Sequence, residues 1–81
     1  VDTKHYFWYI NTMKYFKVMY TNRNSYAIWR DTPNGSLKCI GGNEDIFEIG
    51  GVYNPSPNWP KCTHEAIITQ ITKDEAFLEM V

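Results

Sequence analysis

Covalent cross-linking and membrane insertion have little to draw on in this chain. Its only cysteines are Cys39 and Cys62. Without a secretory leader, two cysteines read as free thiols, with a bridge across the 23-residue interval between them as the alternative. The longest unbroken apolar stretch, Tyr6 to Ile10, falls far short of the roughly 20 residues that span a bilayer. Lys4 is followed by bulky aromatics instead of an aliphatic run with a small-residue cleavage site, so no signal peptide is expected. These absences lead us to expect a protein of the cytoplasm, with no membrane as partner.

Motifs that carry chemistry are just as scarce. Cys62-Thr63-His64 sets a thiol near an imidazole, but a structural zinc site needs four ligands, usually as two short-spaced pairs. The remaining thiol and imidazole, Cys39 and His5, stand at no standard spacing, and neither metal nor cofactor is expected. Cys62 with His64, or His64 with Glu65 and Asp45, can be drawn as a dyad or triad. Residues two apart on an extended strand share a direction without converging. A chain this small also has trouble enclosing a water-excluding pocket of roughly 300 Å³ or more. Gly41-Gly42 and Gly50-Gly51 precede no helix that could cradle phosphate. The expectation is a protein that is not an enzyme.

Composition places the chain among globular domains. At 43% hydrophobic and 21% charged it lies away from the signature of disorder, and 81 residues suit one domain with a core of modest depth. Net charge is −1, yet unevenly spread. Residues 1–40 carry six cations against Asp2 and Asp31, whereas residues 41–81 carry Lys61 and Lys73 against seven carboxylates, so the halves are +4 and −5. The asymmetry serves either to steer a charged partner or to pair the two halves on folding, and the second suits a small domain better.

Aromatic rings are what the chain has in abundance. Nine of thirteen lie in the first thirty residues: Tyr6, Phe7, Trp8, Tyr9, Tyr15, Phe16, Tyr20, Tyr26 and Trp29. Each must place on the order of 150–250 Å² in a core, against a partner or on a ligand.

Periodicity points to an α+β domain: an antiparallel β-meander of four to six strands with one short C-terminal helix. Lys14 to Tyr20 alternates with Phe16, Val18 and Tyr20 on one face and Tyr15, Lys17 and Met19 on the other. Residues 21–25 read as a hairpin loop and Tyr26 to Arg30 as the returning strand. Asn34-Gly35 is a strong turn signal ahead of a third strand, Leu37 to Ile40. Ile46 to Ile49 reads as a fourth strand. Residues 50–62, with Pro55, Pro57 and Pro60, read as an irregular connection that Trp59 anchors to the body. Ala66 to Ile71 reads as a further strand. Thr72-Lys73-Asp74-Glu75 matches a capping box, opening a helix whose apolar stripe is Ala76, Phe77, Met80 and Val81. Residues 1–12 read either as an integrated strand, His5 to Ile10, or as an extension that packs on a neighbouring chain.

The aromatic excess directs the functional expectation. Tyr, Trp, Met and Arg combine area with a polar handle and recur at interface hot spots. With the final helix and the proline-rich connection covering one face of the sheet, the other would present Tyr15, Met19, Ala27 and Trp29. The expected contacts are Tyr15, Tyr20, Arg23, Tyr26, Trp29 and Arg30, with a protein as partner. Single-stranded nucleic acid, with rings stacking on bases and cations following the backbone, is the alternative use of that surface. Tyr6 to Ile10 would also serve as a homodimer seam.

A chain rich in Tyr, Asn, Lys and Ile, with Met13-Lys14-Tyr15-Phe16, the strand Tyr26-Ala27-Ile28-Trp29-Arg30, the Asn34-Gly35 turn and the ending Ile71-Thr72-Lys73-Asp74-Glu75-Ala76, resembles the small accessory proteins encoded by tailed phages. The resemblance implies a non-enzymatic inhibitor, acting in the host cytoplasm, that binds a host or defence component. It assigns no role to any single residue.

Overall fold

The computed structural model describes residues 13–80. Five strands form one antiparallel sheet, and one short helix follows at the C-terminal end. The strands are β1 (Tyr15–Tyr20), β2 (Ser25–Asp31), β3 (Leu37–Gly42), β4 (Val52–Tyr53) and β5 (Ala66–Ile71), and the helix is α1 (Lys73–Glu79). Their order across the sheet is β4-β3-β2-β1-β5. The first four strands are a meander, and β5 returns to the far side of β1.

This order dictates how the sheet is covered. β4 and β5 lie at opposite edges, about 19 Å apart at four strand spacings. The chain between them, residues 54–65, must cross a face of the sheet, and it crosses the one that carries Phe16, Val18 and Trp29. The helix then packs on the opposite face, over Tyr15 and Ile28 through Ala76. Both faces are therefore covered, one by a proline-rich strap and the other by a helix.

Register assigns the side chains. Phe16 pairs with Trp29 and Val18 with Ala27, whereas Tyr15 pairs with Arg30 and Lys17 with Ile28. Directly opposed residues share a face. Ala27 and Trp29 thus lie on the Phe16 face, not beside Tyr15 and Met19, and the expected outward face does not form. The hairpin loop explains the difference. It was expected to hold residues 21–25, but Ser25 belongs to β2 and pairs with Tyr20. A shift of one residue sends every side chain of a strand to the other face.

The segment 46–49 is a turn instead of a strand. The open edge of β3 is taken by the residues after it: the Gly50 N–H donates to the Cys39 carbonyl at 2.7 Å, and the Cys39 N–H donates to Gly51 at 3.0 Å. Of the apolar run, only Phe47 turns inward, while Ile46 and Ile49 are exposed. The helix begins as its sequence implies. Thr72 Oγ1 accepts from the Glu75 N–H at 3.1 Å, and the Thr72 N–H donates to Glu75 Oε1 at 2.9 Å. Both cysteines are free thiols, Cys39 buried and Cys62 exposed. Among the described residues no helix is long and apolar enough to cross a membrane.

Candidate functional site

The strap and the sheet enclose aromatic rings that come from distant parts of the chain. Trp59, at the middle of the strap, meets Phe16 edge-on with ring centroids 5.1 Å apart. Phe47, Tyr53 and Trp29 form a second group, with centroids 4.9, 5.2 and 5.6 Å apart in T-shaped contacts. Tyr20 closes it, 5.8 Å from Phe47. Edge-on packing of this kind sets the positive rim of one ring against the negative face of the next.

Beneath the strap, walled by Trp59 and the second group, lies an open cavity of about 350 Å³. Its walls include Val18, Tyr20, Trp29, Phe47, Tyr53 and Trp59, and Ser56, Lys61 and Thr63 stand among the polar groups lining it. It is an open space, not the water-excluding pocket that a chain of 81 residues is expected to have trouble enclosing. The strap provides it, because crossing the face on prolines and polar residues bridges the sheet without filling it.

Two polar groups in this wall have altered chemistry. The indole Nε1 of Trp29 is sealed from solvent and meets no acceptor at hydrogen-bonding geometry among the described residues. The Tyr20 phenol is pushed up from its ordinary pKa, chiefly by burial, with the nearby Trp29 indole opposing the rise. Burial likewise pushes up the Cys39 thiol, with a hydrogen bond to the Gly41 backbone opposing the rise.

The six residues expected to make contacts do not share a surface. Tyr20 and Trp29 line the cavity under the strap. Tyr15 and Arg30 line a wider groove of about 650 Å³ on the other face, beside the helix, where Tyr15 meets Phe77 edge-on and Arg30 Nη1 lies 3.8 Å from Met13 Sδ. Tyr26 ties the sheet to the end of the helix, donating from its hydroxyl to the Glu79 carbonyl at 3.3 Å under the Lys17 ammonium. Arg23 is held in the hairpin loop by Glu44, 2.8 Å from Nε, and lies over the Tyr20 ring.

Tyr15 and Trp29, expected on the outward face, are only 8% and 3% exposed. Of the nine rings among the described residues, Phe77 alone is classed as exposed. Phe47, Tyr53 and Trp59 complete the cavity, and sequence reasoning assigned them no site. Their one visible signal was Trp59 among prolines. The seam at Tyr6 to Ile10 and the strand or extension at 1–12 lie outside the described residues.

Comparison with protein families, with curated proteins and with solved structures returns no match for this chain. Among the described residues no three His, Cys, Asp or Glu side chains gather as a metal site.

Proposed function

We propose that this chain is a non-enzymatic binding protein that receives an aromatic or large apolar side chain of a protein partner in the cavity under its strap. The observation that carries the reading is the cavity itself: a concave, aromatic-walled space at the lower end of the size range that ligand sites occupy. Interface anchors are rings and aliphatic chains that fill desolvated pockets, and rigid aromatic walls receive them at little entropic cost. The likeness to phage accessory proteins points to a host or defence component as the partner and to inhibition as the outcome.

Filling the cavity tests the reading. Ala66 lines it and is half-buried, so Ala66→Phe would occupy the space from within. Captured from a lysate by the wild-type chain, a partner should be lost with Ala66→Phe and kept with Ile49→Ala, an exposed position away from the cavity. Equal capture by the two variants, with both folded by circular dichroism, would sink the reading.

A specific observation supports single-stranded nucleic acid as a second reading. The groove beside the helix is lined by Lys14, Arg30 and Lys73 together with Tyr15 and Phe77, with no carboxylate among its described lining residues. Rings beside cations suit stacked bases and their phosphates. Binding to a labelled oligothymidylate that weakens steeply with salt, and that is weaker with a shallower salt slope in Lys73→Glu, would favour it. Absence of binding at low salt would remove it.

A further inference from the structure

We infer that the side chain received under the strap is an aromatic ring flanked by a carboxylate, so that the partner presents a short acidic-aromatic segment. The inference rests on the reading of the cavity as a protein-binding site. Residues 41–81 hold seven carboxylates and two lysines, and they supply the whole strap. Yet among the described residues no Asp or Glu lines the cavity, while Lys61, one of those two lysines, does. Lys61 is exposed and has no carboxylate within ion-pairing distance among the described residues. Its backbone is fixed by the N–H that donates to the Asn58 carbonyl at 2.7 Å, which sets the root of the side chain just past the middle of the strap. A single unpaired ammonium beside an aromatic-walled cavity complements one negative charge next to one ring. It complements a nucleic-acid strand poorly, because a strand needs a row of cations along its backbone and would meet the −5 half of the chain.

Three dipeptides with a negative, neutral or positive residue before Phe test this: acetyl-Asp-Phe amide, acetyl-Asn-Phe amide and acetyl-Lys-Phe amide, titrated against the full chain by NMR with the Trp59 indole N–H as reporter. The Asp peptide should bind about three- to fivefold more tightly than the Asn peptide, the worth of one solvent-exposed charge pair, and the Lys peptide should bind weakest. Lys61→Gln should remove the Asp preference, and Lys73→Gln, outside the cavity, should keep it. Equal affinity of the three peptides would overturn the inference and leave the cavity reading standing. No saturable shift with any of them would take down both. A tetrathymidylate that moves the same resonance at lower concentration than the Asp peptide would assign the cavity to nucleic acid and also overturn the inference.

Discussion

Trp59 stands edge-on to Phe16 at an interplanar angle of 72°, and this one ring contact pins the middle of the strap to β1. Among the described residues Cys62 and Thr63 tie the end of the strap to β5, and its middle depends on that ring. Trp59→Ala should lower stability by about 2 kcal/mol, less than the loss of a fully buried ring because Trp59 is half-buried. Trp59→Phe should recover most of it. Urea unfolding of the three proteins reads the difference, and a Trp59→Ala chain as stable as wild type would show that the strap is held elsewhere.

Glu44 gives the fold its acid sensitivity. Its carboxylate is shielded and accepts from Ser25 Oγ at 2.7 Å and from the Ile46 N–H at 3.3 Å, with Arg23 paired to it. The Ser25 hydrogen bond foremost, then the Ile46 N–H and the Arg23 charge, hold its pKa below the ordinary carboxylate value against the effect of burial. Glu75 is lowered in the same direction by its two hydrogen bonds with Thr72. A carboxylate whose folded pKa lies below its unfolded one contributes stability that is fully present above the unfolded value and is lost as pH falls through the folded value. Urea midpoints should therefore be level at neutral pH and drop through the acid range. Glu44→Gln should start lower and flatten that drop, whereas an unchanged slope would deny Glu44 this role.

The helix rests on its first turn. α1 spans seven residues, too few to persist without a cap and tertiary contacts. Thr72→Ala removes the hydroxyl that accepts from the Glu75 N–H and should cost about 1 kcal/mol. Hydrogen exchange should report the loss as faster exchange at Ala76, whose N–H donates to the Thr72 carbonyl, with β2 amides little changed.

Local chemistry was the part of this structure legible in the sequence. The capping box at Thr72, the Asn34-Gly35 turn and the alternation of β1 involve neighbours along the chain, and each appears where its residues imply. The cavity depended on pairings that no local pattern encodes. Whether Trp29 faces the strap or the helix turns on a single residue, Ser25, being counted in β2 or in the loop. Phe47 reads as part of a strand because it sits in an apolar run, yet it folds inward alone, since Asn43 and Glu44 are already tied to the Tyr26 carbonyl through their N–H groups. The six expected contact residues stand out by chemical type, and type does not reveal which face of a sheet a later segment will cover.

The close pairing of β3 with β2 tolerates no side chain at Gly42. Its φ is +113°, and a Cβ there would run into the Tyr26 carbonyl oxygen and the Ala27 backbone. Neither atom can move without breaking the β2–β3 ladder, so Gly42→Ala should abolish the cooperative unfolding transition. Gly41→Ala offers a graded comparison. Its Cβ would lie 2.8 Å from Met80 Cγ, the end of a flexible side chain that can shift, and the protein should still fold with the end of the helix displaced. Equal stability of the two variants would contradict this account.

The two thiols should behave as opposites. Cys39 is 1% exposed and burial raises its pKa, so the reactive thiolate is scarce and shielded. Cys62 is exposed at the outer edge of β5, where its Sγ accepts from the Ile68 N–H at 3.3 Å and donates to the Ile68 carbonyl at 3.4 Å. Next to it the Thr63 Oγ1 accepts from the Ala66 N–H, and the Thr63 N–H donates to the Ala66 carbonyl. These two side chains stand in for a sixth strand on an edge that carries no charge or proline to discourage pairing with another chain. Iodoacetamide should modify one thiol per native chain, at Cys62, and the second only at the rate of unfolding. The carboxamidomethyl group prevents Sγ from donating and crowds its contact with Ile68. Modified protein should therefore show faster exchange at the Ile68 amide and, at high concentration, more self-association than the unmodified chain. Mass spectrometry and light scattering read the two effects, and rapid labelling of Cys39 in the native state would refute its assigned burial.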